Sequence, residues 1–399
     1  MSTKLASNKK LFNAIIYLAS FVSGSCLAAH QAMVGKICAD FGASSTVMGT
    51  VIGALYTGSF LMVVIFGELS EKIGKKRVVL ITGLAVSTGA LTVALAPSVT
   101  VVTVGYFLYG CGVGAFESTI YAAFTDANPE NSNRYMCIAQ AIYSLGAVVS
   151  PILVGQFFLG QPFAWKNAYI VIVAAFVCST TLVFTRKNIT NQVSPAAKGE
   201  KLVFLKLLRS PTLVVYMLVM LCYLGFESGI TYWAVNYFDE LGASELGTYA
   251  ISAYWLVSIA GRVVGSFIKR EREALCLSLG IAAVGMGLTA LAPSPVIKLV
   301  GIGIVGLGFA PAYPTLLGAG VRQFPQFSGA TFSVMTFSGA LGGSLFQPLF
   351  GSLVAATSTQ FVYTAIFVGI IVMAVALTIN VKCEDRLLAR RAAECALEK

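Results

Sequence analysis

Between Arg77 and Glu117 the chain passes thirty-nine residues without one Asp, Glu, Lys or Arg. A helix crossing the hydrocarbon core of a bilayer takes roughly 20 mostly apolar residues. The stretch therefore has room for two helices, turning at Ala96-Pro97-Ser98. A soluble domain carries about a quarter of its residues as charges; here the fraction is 11%, with 57% hydrophobic. A soluble chain this apolar lacks the polar surface to cover itself. The expectation is an all-α protein that crosses a membrane many times.

Cutting the apolar runs at polar or Pro/Gly-rich joints gives twelve spans. They cover 12–34, 46–69, 78–96, 100–125, 134–159 and 166–185, then 212–238, 247–268, 274–292, 296–321, 328–354 and 359–381. The one long polar connection, 186–210, divides them six and six. The domains follow: an N-terminal bundle 1–185, a cytoplasmic linker 186–210, a C-terminal bundle 211–381 and a cytoplasmic tail 382–399. Charge tests the count. With the amino terminus inside, 24 of the 27 Lys and Arg fall on the cytoplasmic side, leaving Lys36, Lys166 and Lys298 outside. One missed or extra span would scramble that bias. Both termini are expected in the cytoplasm of a multi-pass protein of the cell membrane, the bacterial inner membrane fitting best.

The net charge of +10 comes in short groups between apolar runs. A nucleic-acid surface would cluster it as a stripe beside aromatics. Expected partners are instead the lipid bilayer, a small solute and protons, with the chain acting as a monomer. Nine cysteines stand alone without a C-x-x-C or a nearby histidine, which reads as small buried hydrophobes, neither disulfides nor a metal site. The "GKKR" at 74–77 lacks the spacing and Ser/Thr of a phosphate-binding loop. No cofactor, metal or catalytic residue is expected.

The halves repeat. At an offset of 196, Gly110, Gly112, Pro129, Gly146 and Gly155 meet Gly306, Gly308, Pro325, Gly342 and Gly351, and "FGAS" at 41–44 meets "LGAS" at 241–244. Two similar six-helix halves imply a site between them near mid-membrane. "GELSEKIGKKR", Gly67 to Arg77, lies between spans 2 and 3, with a degenerate echo in "GRVVGSFIKRER" from Gly261.

Those features resemble the major facilitator superfamily, along nearly the whole chain. The loop copy carries Glu71, Gly74, Lys75, Lys76 and Arg77, with Glu71 where the family has Asp and Lys72 where it has Arg. The resemblance implies that Gly67, Glu71, Gly74 and Arg77 brace the cytoplasmic side of the outward-facing state. A narrower likeness is to the fucose-galactose-glucose:proton symporters. "GVGAFESTIYAAFTDANPE" is similar to their fourth span, a glycine-rich approach to a membrane glutamate. "YLGFESGITYWAVNYF" looks like the seventh span of sugar transporters. The asparagine-proline step is absent at its usual distance after the glutamate, with Thr125 and Asp126 there and Asn128-Pro129 coming later. The first-span acid of fucose permeases is missing, His30-Gln31 being the closest polar pair.

The intramembrane polar residues name the candidate site. Glu117 in span 4 and Glu227 in span 7 are acids where charge is costly and normally faces water or a partner. Glu117 would hold or release a proton as its surroundings dry or wet, which makes it the first proton-coupling candidate, with His30 and Glu227 beside it. The alternative is a carboxyl used only for packing. Candidate substrate contacts are Gln31, Glu117, Tyr121, Gln140, Tyr143, Glu227, Trp233, Asn236, Tyr313 and Thr336. Tyr121 sits one turn below Glu117, and Tyr313 stands between Pro311 and Pro314, which should kink span 10. Trp233 stacking on a sugar while Glu227 accepts hydroxyls is a sensible sugar site, but six residues separate them, about 240° around a helix. They meet one ligand only if the helix loosens near Gly229. Arg262, near the cytoplasmic end of span 8, is expected at the rim, bracing the closed state.

The expected function is secondary active transport, by proton-coupled symport of a small polar solute, a sugar or sugar derivative, with alternating access. A proton-driven exporter of amphipathic compounds and an organic-anion carrier remain alternatives. An enzyme would need a soluble domain or a nucleophile constellation, and neither is present in the sequence.

Overall fold

The structure, a computed structural model, describes residues 2–128, 132–185, 207–267, 271–324 and 328–397. Every element among them is helical: α1 Ser2–Asp40, α2 Ser45–Ile73, α3 Lys75–Ala94, α4 Val99–Ala127, α5 Ser132–Phe157, α6 Trp165–Phe184, α7 Pro211–Tyr232, α8 Ala234–Glu240, α9 Glu245–Phe267, α10 Glu271–Leu291, α11 Pro295–Gln323, α12 Ser328–Ala356 and α13 Thr359–Leu397. Only helices and closed barrels satisfy their own backbone in hydrocarbon, so a chain of apolar runs becomes a chain of helices. Eleven are long and apolar enough to span a membrane; α9, with 23 residues, completes twelve spans when α7 and α8 count as one. Large apolar side chains face outward as well as inward, among them Leu84, Val104, Phe157, Leu218, Leu256 and Val372, a belt that lipid covers. Most of the 186–210 linker and the side chains of the tail from Cys383 onward lie outside the described residues.

The repeat is visible as packing. Gly42 and Gly242 both take positive φ (63° and 68°) and close the same turn, with Ala43 N on Cys38 O at 2.8 Å and Ala243 N on Phe238 O at 2.9 Å. Left-handed backbone of this kind favours glycine. Gly110 lets α4 close against the Leu55 carbonyl of α2, and Gly306 lets α11 close against Tyr254 of α9. Asp40 accepts from Phe163 N at 2.7 Å and the Trp165 indole at 2.9 Å. Glu240, two hundred positions on, accepts from Thr359 N at 3.0 Å and its hydroxyl at 2.6 Å. Each acid ties the first span of its half to the last.

The three basic residues expected outside are each tied into the structure. Lys36 pairs with Asp40 at 2.8 Å, and Lys166 donates to Ala96 O at 2.9 Å. Lys298 donates to Tyr237 Oη at 2.7 Å and Thr289 O at 3.0 Å, at the carboxyl end of α10, where a cation offsets the helix dipole.

The seventh span breaks, but not at Gly229. Gly229 stays helical, packed on Phe350 and Ile366; the bend falls at Trp233, with φ −95° and ψ 0°. Few backbone bonds are lost there: Trp233 N still reaches Gly229 O at 3.3 Å, and its own carbonyl accepts from Tyr237 N at 2.8 Å.

Two seams join the halves. Along the α2–α12 seam, Gly49 and Gly351 bring backbones together near the end opposite the termini, and Thr57 meets Ser344 at 2.6 Å deeper in. Along the α5–α9 seam, Gly155 faces Thr248 and Ser252 donates to Val148 O at 2.8 Å. The halves are thus closed at the end away from the termini, and the polar side chains meet below that closure.

Candidate substrate and proton site

Gly110 and Gly112 press one side of α4 onto α2 and α3, which turns the face with Glu117 and Tyr121 toward the seam. Glu117 is half-buried. Ser23 of α1 stands beside its carboxyl, but its Oγ forms no well-aligned hydrogen bond. Tyr121 and Tyr143, from α4 and α5, lie within electrostatic reach of the carboxyl. Both tyrosines are partly or wholly buried, and the Tyr121 hydroxyl has no partner.

Glu227, in the other half, has more company. Tyr254 of α9 donates to its Oε1 at 2.6 Å. Tyr223, one turn earlier on α7, lies beside it, and Arg262 is within electrostatic reach. Tyr56 crosses from α2, its ring against Gly343 and its hydroxyl near Ser228 and Glu227. Tyr313 of α11 is in reach of both carboxyls and next to Thr336.

Arg262 is not at the rim. Its Nη1 crosses the seam to donate to Gln140 O at 3.1 Å and Ser144 Oγ at 2.5 Å. Its guanidinium lies 5.9 Å from the Trp255 ring centre, a cation–π distance. Trp255 in turn donates to Gln31 Oε1 at 3.1 Å, another bond between the halves, and packs edge-on against Tyr143 at 6.1 Å. The sequence reading placed this arginine by its distance from the helix end; its reach across to α5 is a tertiary fact. Among the described residues no carboxylate lies within ion-pair distance of it.

Other expected residues fall outside this cluster. Trp233 is fully buried and gives its indole N–H to Gln347 Oε1 at 3.1 Å, while Gln347 Nε2 holds Ser228 Oγ at 2.9 Å. It faces α12, and Glu227 faces α9, so the bend does not bring them to one ligand. Asn236 on α8 lies against Gly35 of α1 and lines a small cleft at the closed end. His30 is wholly enclosed in the N-terminal half, its Nδ1 2.6 Å from Tyr169 Oη and its ring 4.3 Å from that of Tyr109. Of the loop motif, Gly74 takes φ 86° at the start of α3 and Arg77 is exposed. Gly67 and Glu71 belong to α2, and their side-chain surroundings lie outside the described residues.

Sequence reading missed Tyr56, Tyr223, Tyr254, Trp255 and Ser144. Two signals were available. Tyr223 precedes Glu227 by four residues and Trp255 precedes Arg262 by seven, spacings that share a helix face. Tyr56 carries no such mark, because its neighbours come from the opposite half.

The profile of the Major Facilitator Superfamily matches residues 16–347. The chain is 22% identical to the membrane protein MosC of Rhizobium meliloti over 91% of this chain and 89% of that protein. It is 22% identical to the L-fucose-proton symporter of Escherichia coli over 76% and 77%. The crystal structure of a point mutant of the nucleoside transporter NupG superposes with a TM-score of 0.78 at 13% identity, covering 94% of this chain and 99% of that one, which speaks for the fold alone. The chain belongs to the Major Facilitator Superfamily, as a multi-pass membrane carrier that moves a small solute by secondary transport and is not an enzyme.

Proposed function

We propose that the protein is a proton-coupled symporter of a small hydroxyl-bearing solute of the sugar class, working by alternating access with both termini in the cytoplasm. One observation carries this reading: among the described residues one guanidinium, Arg262, is within electrostatic reach of Glu227, while Glu117 in the other half has only Ser23 beside it and no cation. Arg262 balances one negative charge. A second, uncompensated carboxylate taken from water costs several kcal/mol, so one of the two is carried neutral, with a proton. Glu227, held by Tyr254 and near Arg262, is the ionised partner that accepts solute hydroxyls. Glu117, with only Ser23 beside it, takes the proton. The ring of tyrosines supplies hydroxyl donors and apolar faces, the two surfaces a sugar presents. The name of the L-fucose-proton symporter relative fits the same reading.

An anionic solute is the second reading, because Arg262 spends only Nη1 on α5 and a guanidinium fork suits a carboxylate. One assay separates them. Purified protein in liposomes is offered D-glucose, D-mannose, L-fucose and D-gluconate, with and without an imposed inward proton gradient. Accumulation of a neutral sugar that needs the gradient is the expected result. Gluconate accumulation alone transfers the assignment to the anion reading, and uptake indifferent to the gradient removes proton coupling.

A further inference from the structure

His30 raises a question that packing does not answer. Its ring is wholly buried, yet its Nε2 has no hydrogen-bond partner. Tyr169 Oη donates its one proton to Tyr106 Oη at 2.8 Å. It therefore has no proton for His30, and the 2.6 Å contact must be a donation from Nδ1–H to Tyr169. In a neutral imidazole that leaves Nε2 as a bare lone pair. Buried polar atoms without partners are uncommon and point to water or function.

His30 lies between the cleft at the closed end and the side chains around Glu117. On one side Tyr106 is in electrostatic reach of Cys38. Cys38 lines a cleft of about 90 Å³ with Gly35, Ser44, Ser45 and Asn236, at the end of the bundle away from the termini. A water needs about 15 Å³, so the cleft admits several. On the other side the Tyr109 ring packs edge-on to His30, and its hydroxyl, also buried without a partner, lies within electrostatic reach of Glu117.

We infer that Tyr106, Tyr169, His30 and Tyr109 form a proton file inside the N-terminal half, leading from the Cys38 cleft, which Asn236 of the other half also lines, to Glu117 at the seam. The inner end rests on the reading of Glu117 as the proton site. The transfer balances without leaving a charge on the file. A proton reaching the Tyr106 oxygen sends that residue's proton to Tyr169, and Tyr169 sends its own to Nδ1. Nε2 and the Tyr109 hydroxyl do not bond directly, so His30 releases the proton on Nε2 to a bridging water. That water passes one on through Tyr109 and a second water to the Glu117 carboxylate, which becomes a carboxylic acid. The arrangement left behind has Nδ1–H on Tyr169, Tyr169 on Tyr106 and Nε2 bare. That is the arrangement inferred above from the Tyr169–Tyr106 and Tyr169–His30 contacts, and the bundle is closed at the cleft end, as expected after a proton has been delivered. The file resets when His30 changes tautomer, Nδ1 losing its proton and Nε2 regaining one, and the Tyr106, Tyr169 and Tyr109 hydroxyls rotate back.

The chain has one histidine, so isotope labelling of histidine nitrogen gives spectra of His30 alone. In membranes the file predicts a proton on Nδ1 and none on Nε2. It also predicts exchange of the enclosed Nδ1 proton with deuterated water that slows by about 10-fold or more in Y106F and in Y109F. Each variant keeps its ring, and the two interrupt the file on opposite sides of His30, so either reads it alone. A wild-type ring with its proton on Nε2, or wild-type exchange in both variants, overturns the proposal. Because no solute enters this experiment, slowed exchange beside failed uptake would sink the symport reading and leave the file standing.

Discussion

Glu117 and Glu227 are both acids on glycine-flanked helices, one in each half, yet their surroundings differ in kind. Glu227 has a hydroxyl at 2.6 Å, a second tyrosine beside it and an arginine in reach. Glu117 has Ser23 nearby, without a formed bond, and tyrosine hydroxyls that have found no partner. A carboxylate fixed by donors is oriented for a ligand; one without them is free to change protonation. The repeat does not require this difference, since the position matching Glu117 at offset 196 is Tyr313. The asymmetry sits on a symmetric frame, and on the function proposed above it divides two tasks between the halves.

The contrast yields graded outcomes. E227Q replaces an oriented acceptor by an amide and leaves Arg262 without its balancing charge. Solute affinity is expected to fall by about 10-fold, or 1.4 kcal/mol, as read by equilibrium binding in detergent with the solute that wild type accumulates. Unchanged affinity would break the assignment of Glu227 to the solute. The smaller effect belongs to Trp233. W233F keeps the buried ring but removes the bond to Gln347, so thermal stability should drop by about 1 kcal/mol with affinity kept. A loss of affinity at constant stability would return Trp233 to the solute site.

Much of the fold was legible because its causes are local or periodic. The scarcity of charge fixed the number of spans. The glycine repeat anticipated matched packing, and Gly42 with Gly242 shows why glycine recurs: both turns need positive φ. The site was legible only as far as single residues announce themselves. An acid in an apolar run is conspicuous, so Glu117 and Glu227 stood out. Arg262 was seen but misplaced, since its position in the sequence does not reveal that it reaches α5. Trp233 was conspicuous for its chemistry, but its direction depends on Gln347, 114 residues away. Tyr56 is a partner of Glu227 only because two halves meet, and no periodicity within one helix encodes that.

The division between the two carboxyls is tested most directly by E117Q, which keeps shape and hydrogen bonding but cannot titrate. Solute flux and internal acidification are recorded together in liposomes, under a proton gradient and again in exchange with preloaded solute. The account predicts that E117Q loses gradient-driven accumulation and acidification while exchange continues. Acidification coupled to uptake at the wild-type ratio in E117Q would contradict it.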